Sequence, residues 1–389
     1  MSRGGAAAWG VVLLAACGGG ADAPEREVAR ETGGVAAEWR LSAEPEVGIG
    51  AAEGDPRALL FQVEGAVRLD GGAIAVANAG THEVRFYGRD GRFAAAYGRQ
   101  GRGPGEFETL AWLGALRGDT VAAWDASLLR WTLLTPRGVV RTVAPRPAPP
   151  GMFPQARGVF ADGSFVLASG WDVARMAAGG TGVRRDSVTL LRYGPDGTLL
   201  GPVARLPGRQ EYVTTGASGF STNPVPFGRE TFVAVGDSLL YALDTGGARV
   251  DAFTPLGRRV PGMALDDRPA PVRAEDRERY RRVRLAAIEV ESYRAEQEKV
   301  LAEIPFPETM PVFQDLRHDG AGHLWVGAYP AVSGAPREWT ILAPGGERIA
   351  TARTPAGLRV LQVGPDFVLG KATDEAGVER VRLYRLSRR

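Results

Sequence analysis

Residue types that could carry out catalytic chemistry are few in this 389-residue sequence. It contains three histidines and one cysteine, and none of the HExxH, GxSxG or P-loop motifs occurs. The Gly-rich segment 98–105 joins two predicted strands, so it lacks the helix N-terminus that a phosphate-binding loop needs. His318 and His323 flank Asp319-Gly320, and we expect them to cap this turn instead of binding a metal. The sequence therefore favours a protein that is not an enzyme.

A second group of residues is suited to non-covalent binding. Arginine, tryptophan and tyrosine are enriched among the residues that contribute most of the binding energy at interfaces. Several of them, with polar neighbours, fall in the longer segments between predicted strands. They predict a surface that binds an envelope protein, a peptide or a glycan. The predicted binding residues are Asn78, His82, Arg99, Arg102, Glu106, Trp171, Arg209, Tyr212 and Tyr329.

Charge and cysteine content exclude several classes of function. Lysine and arginine (47) nearly balance aspartate and glutamate (45), so the chain lacks the basic excess of a general nucleic-acid-binding protein. A single cysteine cannot form an internal disulfide or a cysteine-based zinc site. We expect a monomer that has no cofactor and binds no nucleic acid.

The one cysteine, Cys17, follows an apolar segment at 6–16. With Arg3 before it, this segment has the form of an export signal, and it is shorter than the about 20 residues needed to span a bilayer. The sequence Leu14-Ala15-Ala16-Cys17 resembles the lipobox of bacterial lipoproteins. The resemblance implies cleavage before Cys17 and attachment of lipid to its sulfur.

The lipobox also divides the chain and places it in the cell. Residues 1–16 are predicted to be a lipoprotein signal peptide, and residues 17–34 a lipidated tether without apolar periodicity. The predicted location is the bacterial cell envelope. Gly18 after the cysteine fits sorting to the outer membrane, with the protein facing the periplasm or the cell surface. The folded domain is predicted to span 35–389.

A repeated pattern of short strands dominates that domain. Glycine (53 residues) and proline (27 residues) are too abundant for a helical bundle. In segment 63–107, four short apolar runs (63–69, 73–77, 83–87 and 93–97) are predicted strands, and they are separated by turn sequences that include Asp70-Gly71 and Asp90-Gly91. Asp-Gly between such runs is a strong hairpin signal, because the tightest hairpin turns require positive φ. The pattern recurs in segments 110–143, 156–206, 230–265, 313–352 and 358–386.

Within the first repeat, Phe86-Tyr87, Asp90-Gly91 and the segment 98–107 resemble the NHL-repeat pattern. The chain is similar to the NHL-like six-bladed β-propeller lipoproteins of bacteria. This resemblance implies an all-β fold with six blades. The last repeat lacks its outer strand, and we expect the strand-like segment 38–41 to supply it and close the ring, which removes an exposed sheet edge.

Propellers of the gluconolactonase type suggest an alternative function. They hold a divalent metal in the central channel with Glu, Asn and Asp ligands. In this sequence Asn78, Asp125 and Asp244 follow the second strands of three repeats, and their oxygens would suit a cation such as calcium. Under this alternative the chain is a metal-dependent hydrolase or lyase with its site in the central channel.

The connections between strands fall on two faces of the predicted propeller. In a four-stranded antiparallel blade, the first-to-second and third-to-fourth turns share one face, and all other connections share the opposite face. The Asp-Gly and Pro-Gly turns fall on the first, which we call the short-turn face. The long segments fall on the second, which we call the long-loop face. Binding residues usually lie on long loops of a rigid scaffold, so the long-loop face is predicted to bind the ligand.

Segment 272–304 departs from the strand pattern. It contains no glycine and is rich in residues with high helix propensity. It predicts one long helical insertion between blades 4 and 5. Tyr280, Val283 and Leu301 fall close to one side of this helix, and we expect that side to pack on the long-loop face. The alternative is that the helix acts as a lid or docks a partner.

Overall fold

The computed structural model describes most of the predicted domain. Strands make up 49% of the described residues and helices 10%, which confirms a mainly β fold. The predicted signal peptide, the tether and Cys17 lie outside the described residues. The described residues are 37–216, 219–266, 268–286, 288, 290–330 and 335–388, apart from the side chains of 176 and 177.

Twenty-eight strands and three α-helices run through the described residues. The first strands are β1 (Ala37–Leu41), β2 (Val47–Ile49), β3 (Val63–Arg68), β4 (Ile74–Asn78), β5 (Glu83–Tyr87), β6 (Phe93–Tyr97), β7 (Leu110–Leu116), β8 (Thr120–Asp125), β9 (Arg130–Thr135) and β10 (Gly138–Val143). They are followed by β11 (Gln155–Val159), β12 (Phe165–Ala168), α1 (Val173–Ala178), β13 (Gly182–Arg184), β14 (Ser187–Tyr193), β15 (Leu199–Pro207), β16 (Glu211–Gly216), β17 (Gly219–Pro224), β18 (Thr231–Val235), β19 (Leu240–Asp244), β20 (Arg249–Phe253) and β21 (Arg259–Ala264). The last elements are α2 (Ala274–Ala286), α3 (Glu291–Glu303), β22 (Phe313–His318), β23 (Leu324–Ala328), β24 (Arg337–Leu342), β25 (Arg348–Thr354), β26 (Arg359–Val363), β27 (Phe367–Thr373) and β28 (Glu379–Ser387).

Most strands form four-stranded antiparallel sheets from neighbouring parts of the chain. These sheets are β3–β6, β7–β10, β11-β12-β14-β15 and β18–β21. The strands β22–β25 pair in the same way and are joined through β1 to β28, β27 and β26 in a nine-stranded sheet, with β2 also on β28. In the first repeat the observed strand bounds lie within one residue of the predicted ones. Turn chemistry therefore placed these strands correctly along the chain.

The first strands of these groups form a closed cycle. β3 contacts β7, and the contacts continue through β11, β18, β22 and β26 back to β3. The strands approach closely, since a Cβ added at Gly158 would lie 2.5 Å from the Cβ of Val235. The hydrophobic core lies between neighbouring sheets, where Trp131 of β9 stacks on Phe165 of β12 at 4.5 Å between ring centroids. This arrangement is propeller-like.

The N-terminal strand joins two groups of strands. Residues 37–39 of β1 pair in parallel with β25, and Arg40 and Leu41 pair antiparallel with β28. The short strand β2 pairs with a different part of β28. The outer strand predicted for the last repeat is thus divided between β1 and β2. The longer pairing of β1 is with β25, the last strand of the preceding repeat.

Two segments predicted to be long loops contain regular structure. Segment 169–185 includes α1 and β13, and segment 207–227 includes β16 and β17. β13, β16 and β17 form a separate three-stranded antiparallel sheet. The strand propensity of Tyr, Val and Thr in β16 explains this sheet, which lies outside the four-strand repeat of the sequence.

The segment 272–304 forms two helices instead of one. α2 ends at Ala286, Val290 has an extended conformation (φ −81°, ψ 116°), and α3 begins at the next residue. A 3.6-residue periodicity does not continue across such a break. The residues predicted to share one apolar side of a single helix therefore lie on two separate helices. Val283 is 54% exposed, whereas Tyr280 contacts the rings of Phe227 and Phe306.

Those contacts place α2 on the long-loop face. Phe227 lies in the connection that leads into β18, and its ring centroid is 5.6 Å from that of Tyr280 and 6.2 Å from that of Tyr329. Tyr329 follows β23, in a second-to-third connection. Both connections belong to the long-loop face, as the strand order predicts. In the described part of the chain, no helix is long and apolar enough to cross a membrane.

Candidate functional site

Two cavities adjoin the innermost strands. The larger, about 880 Å³, is lined by the ends of β3, β7, β11, β18, β22 and β26 and by the short turns after them. We call it the central cavity. The smaller, about 190 Å³, lies between the β11 and β18 sheets on the long-loop face, and we call it the inter-sheet cleft. Its lining residues are Phe153, Gln155, Arg157, Ser169, Gly170, Trp171, Arg184, Asp186, Val188, Leu190, Leu206, Pro207, Gly208, Arg209, Glu211, Glu230, Thr231 and Val233.

Charged groups around the central cavity largely neutralise one another. Arg68 forms an ion pair of 3.3 Å with Asp366, and its guanidinium also lies 4.8 Å from the ring centroid of Phe367. Charged groups that already have ion-pair partners gain little further stabilisation from a bound ligand. The other ion pairs at this end are Arg192–Asp162, Arg317–Asp315 and Arg388–Asp319.

The histidines at this end take part in the turn that they flank. The backbone N–H of Gly320 donates to Nδ1 of His318 at 3.2 Å. The backbone N–H of His323 donates to Oδ1 of Asp319 at 3.0 Å. Burial lowers the pKa of His318, because charging the imidazole would place a cation in a desolvated position. The predicted capping role is therefore confirmed for His318, whereas His323 contributes a backbone N–H to the turn and its ring contacts Asp319.

The inter-sheet cleft contains an arginine without a partner. Residues of β11 alternate between exposed and buried positions, so Gln155 and Arg157 face the cavities while Ala156 and Gly158 face the core. Arg157 lines both the cleft and the central cavity. Among the described residues, none accepts a hydrogen bond from its guanidinium or pairs with it. Surrounding protein lowers the pKa of Arg157 by desolvation, and the charge of Glu230 opposes this effect.

Two glutamates that line the cleft are also incompletely bonded. Oε1 of Glu211 is held by Arg209 at 2.8 Å, but its Oε2 is buried without a hydrogen bond. In the described chain the carboxylate of Glu230 has no hydrogen bond or ion pair. Burial raises the pKa of both glutamates, although Arg209 lowers both values in part. Buried polar groups are normally hydrogen-bonded, so the buried Oε2 of Glu211 is an unsatisfied acceptor, whereas Arg157 and Glu230 present unpaired groups that remain accessible to solvent.

The mouth of the cleft is aromatic and exposed. Trp171 is 45% exposed and Phe153 is 56% exposed. Paired backbone hydrogen bonds between Trp171 and Met152, of 2.9 and 3.0 Å, hold this rim in place. An exposed aromatic rim over buried polar groups is typical of ligand-binding sites.

The predicted binding residues fall in separate places. Trp171 and Arg209 line the inter-sheet cleft, and Tyr212 lies in β16, one residue beyond Glu211. Tyr329 packs against Phe227, and burial raises its pKa to about 12. The structure therefore brings together one part of the predicted set, at a position between two sheets.

The predicted residues of segment 98–106 are engaged in holding that segment. Arg99 pairs with Glu106 at 2.6 Å, and Arg102 pairs with Glu108 at 2.6 Å. The backbone N–H of Gly103 donates to Glu106 at 2.7 Å. These contacts hold the connection between the β3–β6 sheet and the β7–β10 sheet in place. His82 also lies in a connection, after β4, with a backbone φ of 56°.

The predicted metal ligands already accept hydrogen bonds from other protein groups. Oδ1 of Asn78 accepts from the backbone N–H of Phe61 at 2.7 Å, and Asp125 accepts from four backbone N–H groups. Asp244 is bound by Arg185 at 2.8 and 3.1 Å. Asn78 and Asp125 both fix the chain that enters the first strand of their sheet. Within the described residues, no group of three or more His, Cys, Asp and Glu side chains is arranged to hold a metal ion.

Comparisons with known proteins reveal similarity of fold. No protein-family model and no curated protein sequence matches the chain. A DUF4221-family protein from Bacteroides vulgatus superposes with a TM-score of 0.50 and 8% identity, covering 90% of this chain and 99% of that chain. A Bacteroides fragilis protein described as exported gives 0.47 and 10%, covering 90% and 96%. A gluconolactonase from Xanthomonas campestris gives 0.43 and 11%, covering 85% and 87%.

Sequence reasoning missed Arg157, Glu211 and Glu230. Arg157 and Gln155 stand at alternate positions of a strand that begins a repeat, and polar residues at such positions face the centre of a propeller. This signal was available in the sequence. The two glutamates had no local signal, because they meet Arg157 only when two sheets pack side by side.

Proposed function

We propose that this protein is a lipid-anchored, extracytoplasmic binding module with six propeller blades. Its ligand is a protein, peptide or glycan of the cell envelope, held without covalent chemistry at the inter-sheet cleft on the long-loop face. The closed cycle of first strands supports six blades, and the export signal and lipobox-like Cys17 support the location.

The unsatisfied groups of the cleft are the observation that supports binding there. An unpaired guanidinium and two incompletely bonded carboxylates lie behind an exposed tryptophan. Leaving a buried acceptor such as Oε2 of Glu211 without a partner costs about 1–3 kcal/mol in a folded protein. A ligand that donates a hydrogen bond to this oxygen recovers part of the cost, and the solvent-accessible groups of Arg157 and Glu230 are free to bind it as well.

Replacing Trp171 with alanine is expected to weaken binding at least about 30-fold, because a central aromatic residue commonly contributes about 2 kcal/mol or more. The full chain, immobilised, would be exposed to a cell-envelope extract, and captured protein, peptide and sugar would be quantified. Leu256→Ala is the matched control, because Leu256 is an 86% exposed apolar residue in a short turn. Equal capture by Trp171→Ala and wild type would refute the proposed site.

Replacing Cys17 with serine is expected to release the protein from the membrane fraction, because serine has no thiol to accept the lipid. Fractionation of cells and detergent-phase partitioning would measure the change. Gly18→Ala is the control, since it leaves the thiol in place. Membrane association that is the same in Cys17→Ser and wild type would show that the anchor is not at this residue.

A further inference from the structure

The inter-sheet cleft contains hydrogen-bonding groups of both kinds. Arg157 offers several N–H donors and has no acceptor among the described residues. Glu230 and Oε2 of Glu211 offer acceptors that receive no hydrogen bond from the described chain. An occupant that satisfies all three must accept hydrogen bonds at one end and donate them at the other.

The charges that line the cleft balance. Three arginines (Arg157, Arg184 and Arg209) oppose three acidic residues (Asp186, Glu211 and Glu230). A cationic ligand would meet the glutamates but would be repelled by Arg157, and an anionic ligand would face the reverse. An uncharged ligand with many hydroxyl groups avoids both conflicts, because a hydroxyl group is both a donor and an acceptor.

The shape of the cleft limits the size of the buried part. Its volume of about 190 Å³ is below the about 300–1,000 Å³ of pockets that enclose whole drug-sized ligands. It therefore takes one ring-sized unit, while the rest of a longer ligand lies outside. At the mouth, the exposed rings of Trp171 and Phe153 offer flat apolar surfaces against which the C–H face of a sugar ring can pack.

We propose that the inter-sheet cleft binds a neutral glycan and inserts one sugar unit between Trp171 at the mouth and Arg157, Glu211 and Glu230 inside. The sugar hydroxyls accept hydrogen bonds from Arg157 and donate to the two carboxylates. This inference rests on the proposed function and narrows its ligand to one chemical class.

Calorimetric titration of the full chain with neutral oligosaccharides tests the inference. The panel contains oligosaccharides of glucose, galactose, mannose and N-acetylglucosamine, and at least one is expected to bind. Glu230→Leu is expected to weaken that binding about 30-fold, because a charge-assisted hydrogen bond is lost. Glu230→Gln keeps an acceptor oxygen, so we expect a smaller fall of about fivefold.

Parallel titrations identify the competing ligand classes. Arginine- and lysine-rich peptides and acidic oligosaccharides are titrated under the same conditions. Binding of the neutral sugar is expected to change little between about 50 mM and 500 mM salt, because no ion pair joins ligand and protein. Thermal unfolding of each variant would verify that it folds, and the exposed-site variant Trp171→Ala gives an independent loss of binding.

The outcomes separate the two proposals. If no neutral sugar binds, the glycan inference is overturned. The cleft remains the binding site if Trp171→Ala still loses the captured envelope ligand, or if a charged ligand binds in a strongly salt-dependent way and Glu230→Gln abolishes it. If ligands from the envelope bind but neither Trp171→Ala nor Glu230→Leu weakens them, the proposed function itself is overturned.

Discussion

Replacing Trp39 with alanine is expected to lower the free energy of unfolding by about 3–5 kcal/mol, the range for removing a large aromatic side chain from a core. Trp39 is 7% exposed and lies in β1, the strand that joins two groups of strands. Its ring is 5.9 Å from that of Trp325 and meets His323 edge-on at 5.5 Å. The guanidinium of Arg388 lies 4.4 Å from its centroid. We therefore expect the variant to weaken the packing of β1 against the two groups of strands that it joins.

Chemical denaturation of the full chain would measure this loss. Trp171→Ala is the matched control, because it removes the same side chain from a 45% exposed position, where substitutions usually change stability by about 0.5 kcal/mol or less. Similar losses for the two variants would show that β1 does not hold the closing sheets together. A large loss for Trp39→Ala alone would support closure by the N-terminal strand.

The strands of this fold were predictable because their turns are local. Glycines in the predicted short turns, such as Gly91 and Gly163, adopt positive φ (80° and 79°), a conformation that few other residues tolerate. Turn residues at regular spacing therefore mark strand ends without knowledge of the tertiary structure. The sheet of β13, β16 and β17 escaped prediction because it is not part of the repeated unit.

The site was less predictable because it is not local in the sequence. Trp171 and Arg209 were chosen for residue type and for their place in long segments, and both line the cleft. Asn78 and Asp125 have equally suitable types, but the structure commits their oxygens to backbone N–H groups. Which polar groups stay unpaired depends on how whole sheets pack, and residue spacing does not contain that information.

Asp319, whose partners His323 and Arg388 both contact Trp39, has hydrogen-bond donors at both of its carboxylate oxygens. Its side chain is fully buried, and its Oδ1 accepts from the backbone N–H groups of Ala321 and His323. Its Oδ2 accepts from Nδ1 of His323 at 2.9 Å and from Nη2 of Arg388 at 2.8 Å. Arg388 also donates to the carbonyl oxygen of Gly364 at 3.0 Å. Asp319 therefore ties the β22–β23 turn to the end of β28.

The contribution of this contact to stability depends on pH, because the contact requires an ionised Asp319. Burial alone would raise its pKa, but the hydrogen bonds from His323 and the charge of Arg388 outweigh it and lower the pKa below the ordinary value. A carboxyl whose pKa is lower in the folded state stabilises the fold fully above its unfolded pKa of about 3.9. That stabilisation is lost as the pH falls through the lowered folded-state value.

Asp319→Asn is therefore expected to cost about 3–5 kcal/mol of unfolding free energy at pH 7, because it leaves Arg388 without its buried counter-charge. The gap between wild type and variant should begin to narrow as the pH falls below about 4, where the unfolded carboxyl binds a proton, and should be smallest once the pH falls through the lowered folded-state pKa of Asp319. Denaturation curves measured from pH 7 to about 2.5 would record both effects.

Asp366→Asn is the control, because Asp366 is 69% exposed in its pair with Arg68, and such surface pairs contribute about 0–1 kcal/mol. A gap for Asp319→Asn that is no larger than the control's, or that stays constant with pH, would contradict the role of this carboxylate in closing the fold.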